Sequence, residues 1–195
     1  MKKQERKNNT QSTAPREIVV ETSPKTDNSL AGLSSDIKAS LGSEWMPEIY
    51  RARVIPLRTR AHRLGESAKK INSVEVQHTL LGVELKIGRR RVMCPDFPTA
   101  RYLAAFARLG CVEIAVPYDI TKVSRLADDL ESSWHRMMLL IDHLTAQRQR
   151  AFRSRLSQNL VNEARQEITE IGAGAAIPQF NQNTKQRPSA PRSAA

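Results

Sequence analysis

The stretch from Val83 to Leu144 constrains the fold more than any other part of the chain, because strand, turn and helix signals follow one another there without a gap. Val83, Leu85 and Ile87 alternate with Glu84 and Lys86, the period of a half-buried strand. Gly88-Arg89 suits a two-residue type II′ turn. Arg90 to Cys94 then reads as the return strand. Pro95 ends it, since proline has no N–H to give a ladder. Asp96 is placed to cap a helix with Pro98 in its first turn. Tyr102, Leu103, Phe106 and Leu109 share one side of that helix, and Gly110 is a natural stop. Cys111 to Val116 reads as a buried strand in which only Glu113 is polar. Asp119 or Thr121 caps a second helix. Its Ile120, Val123, Leu126, Ala127, Leu130, Trp134, Met137, Ile141 and Leu144 recur in steps of three and four.

The fold class is therefore α+β or α/β. The expected architecture is a small sheet, a β-hairpin plus a β-α-β-α run, with a long C-terminal helix and disordered termini. Strand 90–94, helix 97–109 and strand 111–116 suit a right-handed βαβ unit. An antiparallel α+β arrangement is equally compatible with so short a connection. Leu103, Phe106, Ile114, Val116, Leu126 and Leu130 are expected to be buried together.

Four segments are expected. Residues 1–43 read as a disordered basic N-terminal tail, with Ile18-Val19-Val20 the one apolar cluster before Leu30. Residues 44–144 form an α/β core domain. Residues 145–171 are a helical extension, and 172–195 a disordered basic C-terminal tail. Within the core, Arg51 to Thr59 reads as a first strand, held to an edge by Pro56. Val74 to Leu81 reads as another, with Gly82 marking a bulge. No Gly or Pro occurs from Tyr118 to Ile171. That run makes one helix of about 75 Å at ~1.5 Å per residue, or two with a break near Thr145.

Charge narrows the function. The chain of 195 residues carries a formal net charge of +11, which favours anionic partners. Residues 44–95 hold 11 Lys and Arg against 5 Asp and Glu, whereas residues 119–142 hold 3 against 5. A basic sheet-and-turn side and a mildly acidic helix follow. Arg51, Arg53, Arg58, Arg60 and Arg63 fall within 13 residues, and Arg89, Arg90 and Arg91 sit together at the hairpin turn. With Arg101 these nine are the candidate nucleic-acid contacts. Tyr102 is an aromatic placed to stack on a base, although its helical spacing from Phe106 favours the core. Phe152, Leu156, Leu160 and Ile168 lie on a stripe that offers a partner helix a docking face.

Chemistry is thinly marked. There is no Walker loop, no G-x-G-x-x-G, no paired C-x-x-C and no nucleophile elbow. Glu84-Leu85-Lys86 has the E-x-K spacing of many nucleases, but the second carboxylate would have to be Glu66 or Glu75. Asp128, Glu131 and His135 share a helix side and Asp142-His143 follow, yet a metal needs more ligands held rigidly. His62 and His78 have no evident partners. No catalytic residue, metal ligand or cofactor is assigned. Cys94 and Cys111 are expected to be buried thiols too far apart to bridge, as suits a reducing cytoplasm. No apolar run is long enough to span a bilayer.

Cys94-Pro95-Asp96, Ala100-Arg101-Tyr102-Leu103, Phe106 to Cys111 and Val116 to Thr121 carry a resemblance. Over residues 88–135 the chain resembles a group of conserved cyanobacterial proteins with no assigned activity. The resemblance implies no catalytic residues, and favours a cytoplasmic housekeeping or regulatory protein. The leading expectation is a non-enzymatic, cytoplasmic protein whose basic hairpin face contacts the RNA or DNA backbone. An interaction or assembly module built on the 119–171 helix is the alternative, and an enzyme of unrecognised chemistry the third.

Overall fold

A computed structural model describes residues 29–65 and 73–174. The chain starts with α1 (Leu30–Leu41), a 3-10 turn (Gly42–Glu44), the short α2 (Met46–Ile49) and a π-helical turn (Tyr50–Val54). Then come β1 (Thr59–Arg63), β2 (Val74–Thr79), β3 (Gly82–Ile87), β4 (Arg90–Cys94), α3 (Phe97–Leu109), β5 (Glu113–Pro117), α4 (Ile120–Leu144) and α5 (Arg150–Ile171). Four helices of twelve or more residues thus accompany two antiparallel sheets, one ordered β2-β3-β4 and the other β1-β5. The fold is mixed α+β with a long C-terminal helix. The expected disorder of the tails falls on residues 1–28 and 175–195, which lie outside the described residues.

The central signals act where expected. Ile87 pairs with Arg90, so Gly88-Arg89 is the two-residue turn, and Gly88 takes the positive φ of 59° that a type II′ turn needs at its first position. Asp96 caps α3, its carboxylate accepting from the Thr99 N–H at 2.7 Å, and Gly110 closes the helix in the left-handed region. Leu103, Phe106, Ile114, Val116, Leu126 and Leu130 all belong to one hydrophobic cluster.

Strand pairing corrects the parallel βαβ option. β5 lies beside β1, not β4, with Ala61 opposite Ala115 in an antiparallel register. The other edge of β5 is closed at Ala115 by two tyrosine hydroxyls. The Ala115 N–H donates to the Tyr50 oxygen at 2.8 Å, and the Tyr102 hydroxyl donates to the Ala115 carbonyl at 2.7 Å. Tyr50 in turn donates to the carbonyl of Gly172, just past α5, at 2.8 Å. Burial pushes the Tyr50 hydroxyl up to about 12 and that of Tyr102 well above its usual value. Two phenols on helical elements therefore satisfy a strand edge that another strand would otherwise have to cover.

Three further expectations are corrected. The strand expected from Arg51 to Thr59 is absent over residues 51–58, and Thr59 instead opens β1. The Ile55 N–H reaches the Tyr50 carbonyl at 3.1 Å, and Met46, Ile49, Tyr50 and Val54 bury at helical steps begun by Pro47. Arg51, Ala52 and Arg53 are the solvent side of that turn. Gly82 is no bulge: it pairs with Thr79, so Leu80-Leu81 is a two-residue hairpin turn that stands exposed. Residues 30–43 belong to the core rather than a tail. Leu33, Ile37 and Leu41 are buried, and Lys38 reaches Glu163 at 3.1 Å and Glu167 at 2.6 Å on α5.

Helix α5 also belongs to that core. The chain breaks after Leu144, where the buried Thr145 turns its hydroxyl back to the Ile141 carbonyl at 2.6 Å. α5 then packs on the domain, burying Leu156, Leu160, Val161, Ala164 and Ile168. Residues 145–171 thus pack back on the domain. Cys94 and Cys111 are both buried and free. No helix among the described residues is long and apolar enough to cross a membrane.

Candidate nucleic-acid interface

The nine arginines singled out from the sequence do not form one face. Arg101 is taken by α4: its guanidinium grips Glu131 at 3.2 and 2.5 Å and Asp128 at 2.8 Å, and its side chain is only 24% exposed. It serves as a clasp between α3 and α4. The same cation sits where a metal would have needed Asp128 and Glu131, while His135 Nδ1 lies 2.8 Å from the Glu131 carbonyl. No group of three metal-capable side chains occurs among the described residues.

The hairpin triplet divides as well. Alternation and turn geometry send its three side chains to different ends. Arg90 donates to the Leu64 carbonyl at 2.7 Å and ties β4 to the end of β1. Gly65 packs so tightly there that a Cβ would stand 1.5 Å from Arg90 Nη1, at a φ of +94° that already favours glycine. Arg91 faces the buried Glu84 at 3.5 Å. Lys86 is 3.4 Å from Glu75 on the neighbouring strand. Both charged members of the E-x-K spacing are therefore held by opposite charges. All three arginines of the triplet are exposed, and of them only Arg89 forms neither an ion pair nor a side-chain hydrogen bond among the described residues.

The five arginines of the first cluster fare differently. Arg51 is paired within its own helical turn to Glu48 at 2.5 Å. Arg53 reaches Asp129 on α4 at 2.6 Å. Arg58, Arg60 and Arg63 are exposed along β1 and its approach, and form no ion pair among the described residues. Arg58 and Arg60 converge on one aromatic. Their guanidinium carbons lie 5.3 and 5.8 Å from the ring centroid of Tyr118, which is 47% exposed. The backbone fixes this arrangement, because the Tyr118 N–H donates to the Arg58 carbonyl at 3.2 Å where β5 runs out beside β1. A cleft of about 400 Å³ is lined by Arg53, Leu57, Lys122, Arg125, Leu126 and Asp129. Leu57 precedes Arg58 in the chain, and Lys122 lies in the first turn of α4, four residues after Tyr118.

Tyr118, Lys122 and Arg125 were not among the sequence candidates. Tyr118 follows Pro117 and looked like a strand terminator; Lys122 and Arg125 belong to a helix that is acidic on average. The signal that locates them is the β1–β5 pairing. Tyr102, the aromatic expected from sequence, is wholly buried. His62 lies beneath this surface on β1. Burial first, then the nearby Arg60 and Arg90, hold its imidazole below the usual value of 6.5. The docking stripe of α5 is also covered: Leu156, Leu160 and Ile168 are buried within the chain and Phe152 is half-buried against the core.

The chain matches no protein-family model, no curated protein and no solved structure. The chemistry of its surfaces therefore carries the functional reading.

Proposed function

We propose that this chain is a non-enzymatic, cytoplasmic nucleic-acid-binding protein, gripping the phosphate backbone of RNA or DNA. Its contact face is β1 and the start of α4 rather than the hairpin tip. One observation carries the reading: Arg58, Arg60 and Arg63 are exposed along β1 and its approach without a carboxylate partner among the described residues, and Arg58 and Arg60 converge on Tyr118 just before α4. A guanidinium with no internal acid keeps its fork of donors for an outside anion, and one fork can give two hydrogen bonds to one phosphate. The net charge of +11 supplies long-range attraction to a polyanion. A sheet-borne row of such forks recognises phosphates and not base sequence. The assembly reading loses support, because the apolar stripe it needs on residues 145–171 faces inward.

The test is fluorescence anisotropy of a labelled oligonucleotide over a salt series, after nuclease treatment has stripped carried-over nucleic acid. Binding should weaken steeply with salt through counterion release. Replacing Arg58, Arg60 and Arg63 with Gln should lower affinity and flatten the log–log slope by about 2, at ~0.7–0.9 per phosphate contact. Absence of binding by the parent chain at low salt would refute the proposal. An unchanged slope in the folded triple variant would remove β1 from the contact face.

A further inference from the structure

We infer that the preferred ligand of this face is single-stranded nucleic acid, with one base stacked at Tyr118 in the frame of Arg58 and Arg60 and the adjoining phosphate drawn to Lys122 and Arg125; this rests on the nucleic-acid reading above. Backbone grip alone needs only cations. The structure adds an aromatic to them. Tyr118 leaves about half of its surface to solvent at the end of β5, while Tyr50 and Tyr102 are wholly buried. The ring is held by backbone rather than left on a loose loop: the Tyr118 N–H is tied to Arg58, and Asp119 next to it caps α4.

The two guanidinium planes matter as much as the ring. Arginines within cation–π reach of a tyrosine extend the flat, positively charged surface on which a base can lie. A base in a duplex is already stacked on both sides and cannot offer a face, whereas a single strand can splay one out. The cleft then explains the polarity of the surroundings. Arg53, Lys122 and Arg125 are three cations against Asp129 alone, and only Arg53 pairs with it. An anion fits there better than a neutral group. Stacking is tolerant of base identity, so the preference is for strandedness and not for sequence.

The experiment uses the full chain and three probes of about 12 nucleotides: oligo(dT), the same phosphate chain made abasic, and a duplex. The parent should bind oligo(dT) more tightly than either of the others at equal ionic strength. Tyr118→Ala should weaken oligo(dT) binding about 5- to 150-fold, the range that about 1–3 kcal/mol of stacking corresponds to at 1.4 kcal/mol per tenfold. It should leave the abasic strand unaffected, and Tyr118→Phe should bind oligo(dT) like the parent. A strand carrying 5-bromouracil should photocrosslink the parent at Tyr118, a readout that needs no variant to fold. Equal affinity of the parent for oligo(dT) and the abasic strand, or a Tyr118→Ala variant as tight as the parent, would overturn the stacking inference while leaving salt-dependent backbone binding in place. Failure of the parent to bind any probe would instead remove the nucleic-acid reading itself.

Discussion

Replacing Tyr50 with Phe isolates the device that finishes the sheet. The ring keeps its burial and its edge-on contact with Phe106, at 5.4 Å and 67° between planes, so the apolar contribution is unchanged. What is lost is one oxygen, which accepts from the Ala115 N–H and donates to the Gly172 carbonyl. Ala115 is fully buried, and its orphaned N–H should cost about 1–3 kcal/mol. Gly172 is half-exposed, so water can replace the lost donor and little is added there. A total of about 2 kcal/mol follows, or about 4–8 °C in Tm for a domain of this size.

The assay is urea unfolding of the full chain followed by circular dichroism, with parent and variant compared at a common denaturant slope. Tyr102→Phe should cost less, about 1 kcal/mol, because a buried carbonyl tolerates under-satisfaction better than an N–H. The double variant should depart from the sum, since both hydroxyls serve the same residue of β5. A loss below about 0.5 kcal/mol for Tyr50→Phe would refute the reasoning: the outer edge of β5 would then have some other partner.

Phe106→Ala should destabilise by about 3–5 kcal/mol in the same assay, because the side chain is wholly enclosed and touches both buried tyrosines; a loss below about 1 kcal/mol would place it at the surface. Arg90→Ala should cost about 1–2 kcal/mol by freeing the Leu64 carbonyl, whereas Arg89→Ala should stay within about 0.5 kcal/mol; equal effects would dissolve the distinction between clasp and free cation. The imidazole of His62 is held below 6.5, so the folded chain takes up its proton less readily than the unfolded chain. Stability from this group is full above that value and falls as pH drops through it, and thermal melts from about pH 7.5 to pH 5 should show a steeper loss for the parent than for His62→Gln.

The parts of the fold legible in the sequence are those in which local chemistry and tertiary packing agree. Gly88, Asp96, Pro98 and Gly110 each impose one backbone geometry, and the elements they bound lie where those residues put them. The parts that were not legible are those in which a polar neighbourhood conceals an apolar stripe. α1 follows a polar segment and is interrupted by Ser34, Ser35, Asp36, Lys38 and Ser40, yet Leu33, Ile37 and Leu41 share one face. The charge of Lys38 is matched by Glu163 and Glu167, about 125 residues later in the chain. Nothing near Lys38 in sequence announces those carboxylates. The same distance problem hid the pairing of β5 with β1, because a strand's neighbour is chosen by tertiary contacts and not by its own composition.

The candidate site shows why counting arginines is a poor guide to where anions bind. A cation is available to a ligand only if no internal acid or carbonyl has claimed it, and that is decided by packing. Arg101 looked equivalent to Arg60 in sequence. On α3 it faces Glu131 and Asp128 one helix away, so a phosphate would have to displace two carboxylates. On β1, Arg60 faces a tyrosine ring. Arg90 looked equivalent to Arg89, yet the close approach of Gly65 turns it into a tether. The placement of acids on α4 and β3 thus decides which arginines remain unpaired among the described residues. Of the surviving set, Arg63 stands at the far end of β1 opposite Glu113, while Arg58 and Arg60 lie with Lys122 and Arg125 where β5 ends, β1 begins and α4 starts. Side chains from segments far apart in sequence meet there on one rigid backbone.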